Sequence, residues 1–169
     1  ITTGDWNTAL GFEALSTNTT GYRNSASGTF ALFRNTTGYD NTATGYDALT
    51  ENTSGNMNTA SGYRASRYNT TGELNTAVGF NALYTNTTGN RNTAVGSYAL
   101  YNQTQNEKNT ALGYQAGDVI TTGSNNVLIG YDADPSANDA INQIVIGYNA
   151  TGTGDNEIAL GNTSITAIK

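Results

Sequence analysis

The sequence predicts an all-β chain wound as a β-solenoid of about ten 17-residue coils. Three observations carry this: a repeat that keeps its frame, two regular glycine columns, and apolar residues that return with the repeat. The asparagine that opens each NTAxG pentad falls at Asn7, Asn24, Asn41, Asn58, Asn75, Asn92 and Asn109, each step being 17 residues. The same step reaches Asn126 in NVLIG and Gln143 in QIVIG, and a step of 14 reaches Glu157 in EIALG. Glycine recurs at 11, 28, 45, 62, 79, 96, 113, 130, 147 and 161, and a second glycine closes the NTTG turns at 21, 38, 55, 72 and 89. Alanine holds one column from Ala14 to Ala150 and another from Ala9 to Ala111, which continues as Leu128, Val145 and Ala159.

Each element follows from those columns. Two glycines per copy, among many Asn and Thr, penalise any helix by several kcal/mol in propensity. The pentad instead alternates with period two: in NTAVG, Thr points out, Ala in, Val out. A 17-residue coil has room for two such short strands and two glycine turns. Stacked coils would place Thr8, Thr42, Thr59, Thr76, Thr93 and Thr110 in a file at roughly 4.8 Å spacing, giving a rod about 50 Å long.

Composition sets bounds on function. The 169 residues include 20 Gly, one Pro, no Cys and no His, with a net charge of -6. Strictly periodic apolar columns argue against a disordered tract. The aliphatic runs are too short for a membrane-spanning helix, and Ile1 opens no signal-peptide pattern. Because ITTG enters mid-repeat, the chain reads as a fragment of a longer chain, a single repeat domain from 1 to 169.

If the two Ala columns face each other, the interior is thin and larger side chains must lie outside. The expected outer set is the Leu15 column, the aromatic column (Phe12, Tyr46, Tyr63, Phe80, Tyr114, Tyr131, Tyr148) and the column Leu10, Val78, Val95, Leu112, Ile129, Ile146 and Leu160. Such a stripe exceeds what a monomer normally exposes, so other chains are expected to cover it.

The NTAxGxxAL pattern, and above all NQIVIGYNA followed by NEIALGNTSITAIK, resembles the trimeric β-roll repeats of phage tail-fibre proteins and trimeric autotransporter adhesin heads. The resemblance covers essentially the whole chain. It implies a left-handed parallel β-roll, a homotrimer, and a neck-like end over 157–169. The 17-residue coil, with Thr or Ser before the central Ala in the first seven copies, is more similar to the fibre type than to the adhesin proper.

The chemical inventory excludes several classes. Without His or Cys there is no Ser-His or Cys-His nucleophile and no imidazole or thiolate metal site. The acids are spread over many columns, and three have a basic neighbour one coil away: Asp40 by Arg23, Asp47 by Arg64, Glu51 by Arg34. These read as ladder pairs that avoid like-charge stacking. YDADPSAND lacks the order of a strong calcium loop and reads as a decorated turn. Asn18, Asn35, Asn52, Asn69 and Asn86 have the form of N-glycosylation acceptors, against turn asparagines that satisfy backbone groups. Tyr46, Tyr63, Tyr114, Tyr131 and Tyr148 are candidate glycan-stacking residues, against simple ladder packing. The acidic balance and lack of a basic stripe argue against nucleic acid.

These readings converge on a non-enzymatic segment of an extracellular trimeric fibre, on a virion tail or bacterial cell surface, that mediates attachment to a cell-surface glycan or receptor. It needs no cofactor or metal, and this segment does not insert into a membrane. The alternatives are an ice-binding or matrix filament protein and a polysaccharide-degrading fibre.

Overall fold

The residues after each marker position fold as a three-residue strand. In the computed structural model, which describes residues 3–165, these are β1 (Thr8–Leu10), β2 (Ser25–Ser27), β3 (Thr42–Thr44), β4 (Thr59–Ser61), β5 (Thr76–Val78), β6 (Thr93–Val95), β7 (Thr110–Leu112), β8 (Val127–Ile129), β9 (Ile144–Ile146) and β10 (Ile158–Leu160). They pair in chain order in one parallel ten-stranded sheet. The register follows the repeat: Thr59 lies beside Thr76, Ala60 beside Ala77 and Ser61 beside Val78. The chain thus makes about nine turns of a parallel β-solenoid, roughly 43 Å long at strand spacing. Thr, Ala and Val alternate out, in, out as the period requires.

Each coil holds one strand, where the sequence suggested two. The rest of the coil is a series of turns, because left-handed residues interrupt it before an extended run can form. In the fourth coil these are Arg64 (φ 54°), Ser66 (φ 49°) and Leu74 (φ 59°), after Gly62 at φ 138°. Backbone pairing between coils nevertheless continues through the turns. Leu49 N–H donates to the Ala65 carbonyl at 3.1 Å, and Thr53 N–H to that of Thr70 at 2.9 Å. Peptide groups far from the sheet are thereby satisfied.

The left-handed residue also corrects the expected core. Leu15, Leu32, Leu49, Leu83 and Leu100 are buried inside the single chain, with the two Ala columns from Ala26 and Ala31 on. In an extended run, neighbours such as Ala82 and Leu83 would point to opposite sides. At φ 52° the backbone turns at Leu83, and both side chains reach the interior. Each buried Leu contributes roughly 1.5–3 kcal/mol, which offsets the roughly 1–2 kcal/mol cost of its left-handed backbone. The surface of 7781 Å² is close to the roughly 7,900 Å² expected of a compact monomer of this mass. The interior is therefore not too thin to hold one chain together.

Two columns of asparagine line the polar part of the interior. In the NTTG column, Asn69 Nδ2 donates to Asn52 Oδ1 at 2.8 Å and to the Gly72 carbonyl at 3.0 Å, while Asn86 Nδ2 donates to Asn69 Oδ1 at 2.8 Å. In the marker column, Asn58 Oδ1 accepts from Asn75 N–H at 3.0 Å, and Asn75 Nδ2 donates to the Gly89 carbonyl at 2.8 Å. The two glycine columns exist for different reasons. Gly62 has a φ that L-residues avoid, and a Cβ there would also lie 2.4 Å from the Gly79 carbonyl oxygen. Gly55 has an ordinary φ, but its Cβ would lie 2.4 Å from both the Gly72 carbonyl oxygen and Asn52 Oδ1.

Towards the C-terminal coils the core composition changes and its volume is kept. The strand position becomes Leu128 where the preceding turn has Gly117 in place of Leu and Ile120 in place of Asn. A Cβ on Gly117 would meet Leu128 Cδ1 at 2.5 Å and Leu100 Cδ2 at 2.9 Å, so the larger strand residue occupies the space the leucine vacates. β10 joins the same sheet within the expected neck-like segment, and residues 166–169 of that segment lie outside the described residues.

Candidate functional site

The main surface feature is a continuous file of aromatic rings beside the outward face of the sheet. Phe12, Phe30, Tyr46, Tyr63, Phe80, Tyr98, Tyr114, Tyr131 and Tyr148 follow one another with ring centroids 5.1–6.3 Å apart. Sequence reading found this column with two gaps, at Thr29 and Ser97. The structure closes both, because Phe30 and Tyr98, one residue later, swing their rings into line. The available signal was that the two coils lacking an aromatic at that position carry one at the next.

The file changes what the candidate glycan-stacking residues present. Tyr63 lies between Tyr46 and Phe80 with interplanar angles of 11° and 8°, and Tyr131 lies between Tyr114 and Tyr148 at 17° and 25°. Tyr46 and Tyr114 have a stacked ring on one side and an edge-on ring on the other. A sugar stacks on a ring face. Tyr148, the most exposed of the five, has a single ring neighbour and keeps one face free of aromatic contact.

Beside the ring file, the outward strand positions carry hydroxyls along Thr8, Ser25, Thr42, Thr59, Thr76, Thr93 and Thr110. That file then becomes aliphatic at Val127, Ile144 and Ile158, while the other outward position is aliphatic from Val78 on, through Val95, Leu112, Ile129, Ile146 and Leu160. An open pocket of about 550 Å³ at that end is lined by Asn149, Thr151, Thr153 and residues 158–163, none of them acidic.

The five candidate glycosylation asparagines are buried rungs of the interior ladder. Asn35, Asn52, Asn69 and Asn86 each use Nδ2 in two hydrogen bonds, and Asn18 donates to the Gly21 carbonyl at 2.8 Å. The folded chain offers no accessible amide nitrogen at these positions, so the turn reading replaces the glycan reading.

All three expected charge pairs form: Arg23 to Asp40 at 2.8 Å, Arg34 to Glu51 at 3.2 Å and Arg64 to Asp47 at 3.4 Å. Arg67 adds a second guanidinium to Asp47 at 3.2 Å. The acidic group the sequence did not single out is Asp134, which takes the place of a core leucine. Its Oδ1 is buried without a hydrogen-bond partner. Burial, helped by the charges of Asp118 and Asp132 and opposed by the backbone N–H groups of Gly117 and Val119, pushes its carboxyl up to about 7. Asp118 is also raised, by burial first and by Asp132, against a lowering hydrogen bond from Gln115. No group of three or more acidic side chains able to hold a metal ion occurs among the described residues. No known family, curated protein or solved structure matches the chain.

Proposed function

We propose that the chain is a segment of a homotrimeric extracellular fibre, of the phage tail-fibre or bacterial surface-adhesin kind, whose role is attachment rather than catalysis. The observation that carries this is the apolar stripe: nine rings along the sheet, joined at the C-terminal coils by the outward aliphatic residues of β8, β9 and β10. A stripe of that length is more than a monomer normally leaves in water. Three left-handed rolls set side by side with their sheets inward would cover it, each buried Val, Ile or Leu adding roughly 1.5–3 kcal/mol. The turn side would remain free, presenting its threonines and the tyrosines outside the ring file, Tyr22, Tyr39, Tyr68, Tyr84 and Tyr101, to a cell-surface glycan or receptor. Weak contacts on many rungs and three chains add by avidity. The net charge of -6 disfavours nucleic acid as a partner. No described helix is long and apolar enough to cross a membrane.

The test is binding of the purified chain, alone and fused to a trimerisation stalk, to whole cells and arrayed surface glycans. Weak binding that strengthens on multimerisation is expected, with no release of reducing sugar. Absence of binding in every format would leave the segment a spacer.

One observation favours a second reading, ice binding: the hydroxyl file from Thr8 to Thr110 lies on an outward sheet face at strand spacing and contains only Thr and Ser. Thermal hysteresis lost on changing Thr76 and Thr93 to bulky residues would select it.

A further inference from the structure

All eleven tyrosines of the chain have a second tyrosine ring as neighbour. The closest near-parallel pairs join adjacent coils: Tyr22 with Tyr39 at 5.0 Å and 4°, and Tyr84 with Tyr101 at 5.1 Å and 3°. The other readily oxidised side chains are few, since the chain has no Cys, no His, one Met and one Trp. One-electron oxidants would therefore meet tyrosine first, and each tyrosyl radical would form in contact with its coupling partner. We propose that Tyr84 and Tyr101 are an oxidative cross-linking site, at which a one-electron oxidant of the peroxidase type joins adjacent coils by a dityrosine bond.

The local chemistry singles out this pair. Arg67 lies beside Asp47 at 3.2 Å and over the Tyr68 ring, while Tyr68 and Tyr84 meet edge to face at 5.0 Å. Burial raises the Tyr84 phenol, but hydrogen bonds from Tyr68 and Arg67, with the charges of Arg67 and Arg64, bring it below the ordinary tyrosine value. A phenolate gives up an electron more easily than a phenol, and the lowered value makes the phenolate of Tyr84 accessible at lower pH. The bond would join two coils of one chain, so the site does not depend on the trimer proposed above.

Each phenol loses one electron and its O–H proton, giving two phenoxyl radicals, as one hydrogen peroxide is reduced to two waters. An ortho carbon of each ring forms the new C–C bond, and the hydrogen on each of those carbons leaves as a proton while a proton returns to each oxygen. The chain loses two hydrogen atoms in total. Held pairs avoid the entropy cost of encounter that coupling of separate tyrosines carries.

The full chain is treated with a peroxidase and hydrogen peroxide, and dityrosine is followed by its fluorescence and by peptide mass mapping. The expected product is an intrachain peptide pair joined through Tyr84 and Tyr101, lighter by two hydrogens. It should vanish in Tyr101→Phe, which keeps the ring stack, while any pair through Tyr114 and Tyr131 remains. No dityrosine, or dityrosine spread over all tyrosines with no excess of the adjacent-coil pair, or links only between chains, overturns the proposal.

Discussion

Replacing Asn69 by aspartate changes a single heavy atom and tests what holds the coils in register. Asn69 Nδ2 donates to Asn52 Oδ1 and the Gly72 carbonyl, and its Oδ1 accepts from Asn86. In Asn69→Asp the accepted bond survives. Both donated bonds do not: the new oxygen faces two buried acceptors at distances of 2.8 and 3.0 Å set by the old bonds. Two lost bonds cost about 2 kcal/mol, and the acceptors left facing an uncompensated charge add about as much again, some 3–5 kcal/mol in all. At roughly 2–4 °C per kcal/mol for a chain of this size, the melting temperature should fall by about 6–20 °C at neutral pH. The deficit also carries a pH signature. A protonated carboxyl restores one donor, so the folded state raises the aspartate above its unfolded value of about 3.9. Such a group costs least below that value, and its penalty grows as pH rises through the raised folded value. Melting temperatures of wild type, Asn69→Asp and Asn69→Ala at pH 4 and pH 8 provide the assay. The aspartate variant should be much closer to wild type at pH 4, whereas the alanine deficit should not change. Equal deficits for aspartate at both pH values would refute the ladder as described.

Other predictions follow from single residues. Asp134, raised to about 7, binds a proton on folding, so its contribution to stability is greatest near pH 4, falls as pH rises towards 7 and levels off above. Asp134→Leu, which restores the leucine of that column, should stabilise the chain more at pH 8 than at pH 5, as read by thermal melting. Leu83→Ala should cost about 2–5 kcal/mol in denaturant unfolding of the single chain, because the side chain is fully buried there. Leu74→Asn should raise stability by up to about 1 kcal/mol, since this exposed leucine sits at φ 59°, where asparagine occupies the same turn position at 125 and 142.

The sequence made legible whatever depends on spacing alone. The 17-residue step set the parallel register of all but the last strand pair, and same-column neighbours anticipated the ion pairs of Arg23, Arg34 and Arg64. It hid what depends on backbone sign. Nothing in AL announces that Leu83 turns left-handed, and that one angle moves a whole leucine column from the surface to the core. The same blindness turned one strand per coil into two. Phe30 and Tyr98 stand one position after the aromatic column, and only the reach of their rings brings them into the file. The NTTG asparagines were ambiguous for another reason: a turn rung and a glycosylation acceptor share the same three letters, and only burial separates them.

In the proposed fibre the ring file and the aliphatic ends of the sheet are covered by two further copies of the chain. Multi-angle light scattering of the purified chain, alone and fused to a trimerisation stalk, tests it most directly. Three chains per particle are expected, about 53 kDa for the chain itself as three times 17.7 kDa. A soluble particle of 17.7 kDa that keeps native β signal and does not associate on concentration would contradict it.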